Sequence, residues 1–413
     1  MGELMMKKKK MIKAFGIFAL ILIVALSAVV SGCLLVMKQN EASDEAVTET
    51  ELPQPEKKVY TGTEEAIVEQ VIEDMTLSDM VYQMMFVTPE VLTGMGEVTQ
   101  AGETTKAALE QRPVGGIIYF ANNFESREQT GEMIRNSQSY SQIPLFISVD
   151  EEGGMVSRLG ENEAMGTTQH PSMRTIGDTL DPQKAYEVGA ILAIELKELG
   201  FNMDFAPVAD VIINEENTEI GDRSFGTDSE NVAQMVENAV KGMEENGLSA
   251  TLKHFPGHGS TYVDSHTGYS ESSRTIEELR ACEFIPFARG MEAGADFVLV
   301  SHMTLVNAIQ EKVPASLSKE VITDWLLGEL GFEGIVITDS LSMGAIVDEY
   351  TQADVAVKAV NAGADMLLMV PDLETAHTAI MRAVDSGEIT QERIEESVRK
   401  IITLKAKKGM FQE

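Results

Sequence analysis

Eight short apolar runs recur along this chain, and no other feature narrows its fold as far. They fall at residues 83–87, 116–120, 145–149, 203–208, 248–252, 297–300, 334–338 and 366–370. Amphipathic stretches separate or precede them, at 64–74, 182–199, 231–245, 276–293, 319–330 and 352–362. Gly200, Gly247, Gly294, Gly331 and Gly363 follow five of these and supply the residue type that stops a helix. Strands that alternate with helices build a parallel sheet, because each crossover returns the chain to the same edge. Runs this evenly apolar are covered on both faces. Eight such units within residues 63–413 fit an α/β fold, a (β/α)8 barrel of the TIM type in a single catalytic domain. A doubly wound open sheet is the alternative. The chain carries no dinucleotide fingerprint, phosphate loop or short-period repeat. A basic-tipped helix at 390–408 is expected to close the domain, with no second domain after it.

Most of the chemistry sits after the fifth run, in Lys253-His254-Phe255-Pro256-Gly257-His258-Gly259-Ser260-Thr261-Tyr262-Val263-Asp264-Ser265-His266. Pro256, Gly257 and Gly259 forbid regular structure, so a loop at a strand end is expected to hold these polar groups. Asp264 and His266 are two apart and face the same way in an extended segment. An aspartate so placed orients an imidazole and stabilises its protonated form. Other polar residues close other runs: Asp150 with Glu151 and Glu152, Asp210, Ser301 with His302, and Asp339. Barrel active sites lie at that face. Taken singly, Asp150 and Asp210 suit helix caps, His302 a core position and Lys253 an ion pair. Together they suit a site. An acid directly after a buried strand, as Asp339 is, acts as ligand or nucleophile. A carboxylate nucleophile with a separate proton donor is the logic of retaining glycoside hydrolysis. His266 would be that donor, since an imidazole pKa of roughly 6.5 allows it to give a proton and take one back. His254 and His258, four apart, with Asp264 and His266, raise zinc as a rival. Pro256 and Gly257 break the helix that such a site needs, so neither metal nor cofactor is expected.

The net charge of −34 repels nucleic acid and excludes phosphate-backbone binding. With only Cys33 and Cys282, no disulfide framework is available. Lys7 to Lys10 precede an apolar run at 15–30 that ends in Val30-Ser31-Gly32-Cys33. That is the pattern of a secretory signal at 1–33, with Cys33 as a lipidated residue or the run as an uncleaved anchor. Residues 34–62 are acidic and contain Pro53 and Pro55, so a disordered linker is expected there. The domain at 63–413 would then be displayed outside the cytoplasmic membrane and held to it by the N-terminus.

The string KHFPGHGSTYVDSH resembles the signature of the beta-N-acetylglucosaminidases of glycoside hydrolase family 3. The resemblance continues in Met75-Thr76-Leu77, in SVDEEGG at 148–154 and in FAPVADV at 205–211. It extends through GDRSFG at 221–226, VPASLS at 313–318 and GFEGIVITDSLSM at 331–343. It implies a (β/α)8 barrel and a metal-free retaining double displacement. Carried over by position, Asp339 would be the nucleophile, and His266 the general acid and base, held by Asp264. Asp150, Arg158, Arg223, Lys253 and His254 would bind the sugar. The expected reaction is exo-acting release of terminal beta-linked N-acetylglucosamine from cell-wall peptidoglycan fragments. Alternatives are a beta-glucosidase-type or phosphorolytic member of the family, and an inactive sugar-binding lipoprotein. Two positions depart from the family pattern: Met155 stands where an arginine is usual, and Ser340 where a second aspartate is usual.

Overall fold

The structure, a computed structural model, describes residues 57–261 and 270–411. The expected signal, Cys33 and most of the linker lie outside the described residues, as do Asp264 and His266. Eight parallel strands follow in order: β1 (Met85–Val87), β2 (Gly116–Ile118), β3 (Phe146–Ser148), β4 (Met203–Asp204), β5 (Ser249–Phe255), β6 (Phe297–Val300), β7 (Ile335–Thr338) and β8 (Leu367–Leu368). Each contains part of one apolar run. They form two four-stranded sheets, β8-β1-β2-β3 and β4-β5-β6-β7. Backbone bonds close both seams. Asn202 N–H donates to Ile147 O at 3.1 Å and Phe205 N–H to Val149 O at 3.0 Å, joining β3 to β4. Thr338 N–H donates to Met366 O at 3.1 Å, and Ile337 bridges Met366, joining β7 to β8. The result is a closed eight-stranded α/β barrel rather than an open sheet.

Aromatic rings from non-adjacent strands fill the interior. Phe146 of β3 meets Phe297 of β6 edge-on at 5.1 Å, and Phe86 of β1 meets Phe205 at 5.6 Å. The helices lie outside. Pro182–Leu199 starts at the Asp181 cap and stops at Gly200 (φ 103°). Ser229–Glu245 turns Val232, Met235, Val236, Ala239, Val240 and Met243 inward at helical spacing. Burying each larger side chain of that stripe contributes about 1.5–3 kcal/mol.

Three expectations are corrected. The helix expected at 276–293 is two, Ile276–Ala281 and Phe284–Glu292. A continuous helix would drive the Pro286 ring into the carbonyl of Cys282; the break puts Pro286 in a first turn, where its missing N–H does no harm. Gln83 belongs to the helix Leu77–Gln83 and not to a strand, and its side chain accepts a bond from Lys405 Nζ at 2.9 Å. Finally, β5 runs to Phe255, so Lys253 and His254 are strand residues and not loop residues. The β5–β6 register shifts between Leu252 and Phe255. Such an irregularity re-aims side chains, and here two successive residues both reach one cleft.

Candidate active site

A cleft of about 450 Å³ opens at the C-terminal ends of the strands, within the ~300–1,000 Å³ usual for small-molecule sites. Asp150, Glu152, Arg158, Arg223, Lys253, His254 and Asp339 all contribute to its lining. The sequence-expected nucleophile and all five expected sugar-binding residues therefore share one cavity. A larger cavity of about 630 Å³ lies at the other barrel face, beside Asp296 and Gly334, just before β6 and β7, and Ile335 at the start of β7. Its Arg399 and Lys400 are engaged by Glu69 and Asp365, and it sits at the face that serves stability in barrels.

Glu152 is the hub of the charged cluster. Its carboxylate accepts from Arg223 through both Nε (2.8 Å) and Nη2 (2.7 Å), and from Lys253 Nζ at 2.6 Å. Lys253 Nζ also donates to Asp150 Oδ1 at 2.7 Å. Burial alone would raise the Glu152 pKa, but the adjacent Arg223 and Lys253 charges outweigh it and hold Glu152 ionised. Burial likewise acts to lower Lys253, and Asp150 and Glu152 overcome it, so its pKa is raised. Sequence reading quoted Glu152 within its motif but gave it no role. The signal that could have found it is the adjacency of Glu151 and Glu152, which lets the two take different partners. Glu151 instead folds its own hairpin, accepting the amides of Arg158 (2.6 Å), Leu159 (2.8 Å) and Gly160 (3.1 Å).

Asp210 does not cap a helix. Its Oδ2 accepts from His254 Nδ1 at 2.7 Å and its Oδ1 from the His258 amide at 2.6 Å. Arg223 Nη2 lies 3.2 Å from His254 Nε2. A guanidinium can only donate, so His254 is the Nδ1–H tautomer with its Nε2 lone pair turned to Arg223. A chain of bonds thus runs from Asp210 through His254, Arg223 and Glu152 to Lys253 and Asp150. Arg158 stands apart from it, its guanidinium 5.9 Å from the Phe120 ring centre. Arg158 Nε is buried and has no hydrogen-bond partner among the described residues.

Asp339 follows β7 and is partly open to the cleft. Its Oδ1 accepts the Ser340 amide at 2.7 Å. Burial pushes its pKa up, but nearby His302 and His254, the Ser340 amide and His258 pull harder, so the net shift is downward. His302 is a buried support and does not line the cleft. Its Nε2 donates to Ser340 O at 2.9 Å and its Nδ1 pairs with Ser316 Oγ at 2.7 Å, which fixes the backbone next to Asp339. Among the described residues no group of three His, Cys, Asp or Glu side chains could hold a metal ion.

The arrangement provides an ionised carboxylate beside a cluster rich in fixed donors and acceptors. Sugar hydroxyls both give and take hydrogen bonds, so a Lys253–Asp150 pair suits them. Residues 76–404 match the model of the glycosyl hydrolase family 3 N-terminal domain. A beta-hexosaminidase of Nitrosomonas eutropha is 32% identical over 332 residues, covering 78% of this chain and 93% of that protein. Beta-hexosaminidase A of Pseudoalteromonas piscicida is 33% identical over 327 residues, but the chain covers 72% of itself and only 54% of that relative. The solved family 3 beta-N-acetylglucosaminidase of a Paenibacillus species superposes with a TM-score of 0.76 at 37% identity, covering 81% of this chain and 63% of that one.

Proposed function

The chain belongs to glycosyl hydrolase family 3, and on that premise we propose that it is a retaining, exo-acting hydrolase of terminal beta-linked N-acetylglucosamine with Asp339 as nucleophile. The observation that carries this reading is the shared cleft: an ionised Asp339 beside the Asp150, Lys253, Glu152, Arg223 and His254 cluster. The curated relatives named beta-hexosaminidase support the choice of glycone.

Asp339 attacks the anomeric carbon while His266, steered by Asp264, protonates the leaving oxygen. The carbon–oxygen bond to the aglycone breaks and a glycosyl ester forms on Asp339. His266, now neutral, takes a proton from water, which opens the ester and returns the free sugar with net retention. Asp264 and His266 come nine and eleven residues after the end of β5, in the connection to β6, which supports an approach to this face of the barrel. Cell-wall peptidoglycan fragments are the proposed source of substrate, and lipidation at Cys33 the proposed tether. Both rest on the family and on the Lys7 to Cys33 pattern.

The deciding experiment is hydrolysis of a chromogenic N-acetyl-beta-glucosaminide beside the matching glucoside, with chelator and phosphate added in turn. Turnover of the first and not the second, unaltered by chelator and yielding free sugar in phosphate, is the expected result. Preference for the glucoside, or a sugar phosphate as product, overturns the proposal.

A further inference from the structure

The connection from β5 to β6 carries the proposed proton donor, and the structure describes both of its ends. At the start, residues 257–261 pack onto the loop after β4. Gly259 O accepts the amides of Ile213 and Asn214, both at 3.0 Å, and a Cβ on Gly259 would stand 2.0 Å from Val211 O. Asn214 Nδ2 donates to Thr261 O at 2.9 Å. The buried Asn217 donates from its Nδ2 to His258 O at 2.9 Å and to Thr261 Oγ1 at 3.1 Å. At the far end, Glu271–Ser272 pairs in parallel with Thr304–Leu305, just beyond β6. Thr304 N–H donates to Ser270 O at 2.8 Å and Val306 N–H to Ser272 O at 3.1 Å. In the sheet β5 lies between β4 and β6, so the two ends of the connection are fixed on opposite neighbours of the strand it leaves.

One contact joins the two ends directly. Ser260 Oγ and Ser272 Oγ lie 2.7 Å apart, and both side chains are buried. Ser272 Oγ also accepts the Arg274 amide at 3.2 Å, so the hydroxyl pair is tied to the backbone that leads away from it. The bond spans 12 residues of chain, and Asp264 and His266 lie within that span. Buried hydroxyls need partners, so parting the two ends would strand both groups away from water. An acid catalyst depends on such a constraint. Its proton must stay within hydrogen-bond reach of the leaving oxygen, and a misplacement of about 1 Å can cost about 10²-fold in rate.

We propose that Asn217, Ser260 and Ser272 are positioning residues for general acid catalysis: they staple the two ends of the segment that carries Asp264 and His266, and so set where the imidazole meets the leaving oxygen. This inference rests on the assignment of His266 as proton donor, and its test separates the two. Ser260→Ala removes the joining bond with little change of shape, and Asn217→Ala removes the hold on the first end. Each is compared with the parent on two N-acetyl-beta-glucosaminides. The methyl glycoside releases an alcohol that must be protonated as it leaves; the 2,4-dinitrophenyl glycoside releases a phenol that needs no proton.

Damage to folding, to sugar binding or to Asp339 lowers both rates alike, whereas a displaced acid lowers only the first. For Ser260→Ala, kcat/KM on the methyl glycoside should fall about fivefold with the dinitrophenyl glycoside nearly unchanged. Asn217→Ala should widen the gap between the two substrates further. Equal losses on both substrates, or none on either, overturn the staple. His266→Ala checks the premise: a loss confined to the methyl glycoside keeps the acid role, so that an unaltered Ser260→Ala enzyme then overturns the staple alone, while equal losses on both substrates remove the acid role and the staple's purpose with it. If the parent turns over neither glycoside, the glycosidase reading fails on its own, and hydrogen exchange decides the staple. Faster exchange at residues 270–272 in Ser260→Ala than in the parent supports two joined ends, and an unchanged rate overturns them.

Discussion

As the proposed nucleophile, Asp339 must be a carboxylate before it can attack carbon, and its neighbours lower its pKa below the ordinary 3.8 despite the opposing effect of burial. The acid limb of a kcat/KM profile for this nucleophile therefore lies below that value. On the proposed mechanism the alkaline limb belongs to the proton donor, which is lost as pH rises past roughly 6.5 for an ordinary imidazole. The His266→Ala enzyme should lose that alkaline limb and about 10²–10⁴-fold in rate on an alkyl glycoside, and much less on a glycoside with an acidic phenol. Equal losses on both substrates would remove His266 from the acid role. Asp339→Ala should nearly abolish turnover and should not raise the thermal midpoint near neutrality. The sign follows from the shift: a depressed acid contributes stability that is fully present above its unfolded pKa and is lost as pH falls through the folded one, so at neutral pH the variant forgoes that contribution. Sequence motifs made Asp339, Lys253 and His254 legible, because each closes an apolar run. Glu152 and Asp210 were legible as residues and not as roles. Glu152 joins Lys253 to Arg223 from 71 residues away, and no local pattern encodes which strand ends become neighbours.

The elements were read more easily than the contacts between them. Parallel strands buried on both faces leave unbroken apolar runs, and all eight were visible for that reason. The break before Pro286 was missed because its amphipathic period persists across both short helices. Two consequences are testable at this scale. The helices Pro182–Leu199 and Ser229–Glu245 touch through glycine: a Cβ on Gly189 would stand 2.3 Å from Ala239 O, and one on Gly242 2.3 Å from Tyr186 O. Gly189→Ala should force the pair apart and destabilise the barrel by about 1–3 kcal/mol in chemical denaturation, although alanine is the better helix former. An unchanged midpoint would mean that the two helices slide apart freely. At the opposite face, Lys408 Nζ reaches Glu244 at 2.5 Å and Asp296 at 2.6 Å, tying the end of the helix Gln391–Lys407 to the barrel. Burial and the Asp296 charge raise Glu244 from 4.5 to about 7, against the pull of Lys408. A raised acid binds its proton more tightly when folded, so its contribution is complete below the unfolded pKa and declines as pH climbs from about 4.5 to about 7. The difference amounts to at most ~3 kcal/mol. Glu244→Gln should remove that slope from a plot of stability against pH; a slope that persists would assign it to other groups.

Across the whole molecule, 66 acidic side chains face 32 basic ones. The excess cannot be paired, and on a closed barrel it spreads over the surface, where like charges repel through solvent. Raising ionic strength from about 0.01 M to about 0.15 M shortens the screening length from about 30 Å to about 8 Å. That change weakens repulsion between surface carboxylates and leaves the cleft untouched, because Lys253, Glu152 and Arg223 are within 3 Å of their partners and shielded from bulk solvent. Thermal stability should therefore rise by several degrees over this range, while kcat/KM for an uncharged glycoside stays constant. A negatively charged aglycone changes the second outcome and not the first. Its approach is opposed by the whole surface, so its kcat/KM should climb with salt in step with screening. If the uncharged glycoside showed the same climb, salt would be acting on the Asp150–Lys253–Glu152–Arg223 cluster itself, and the division between a screened surface and an unscreened cleft would not hold.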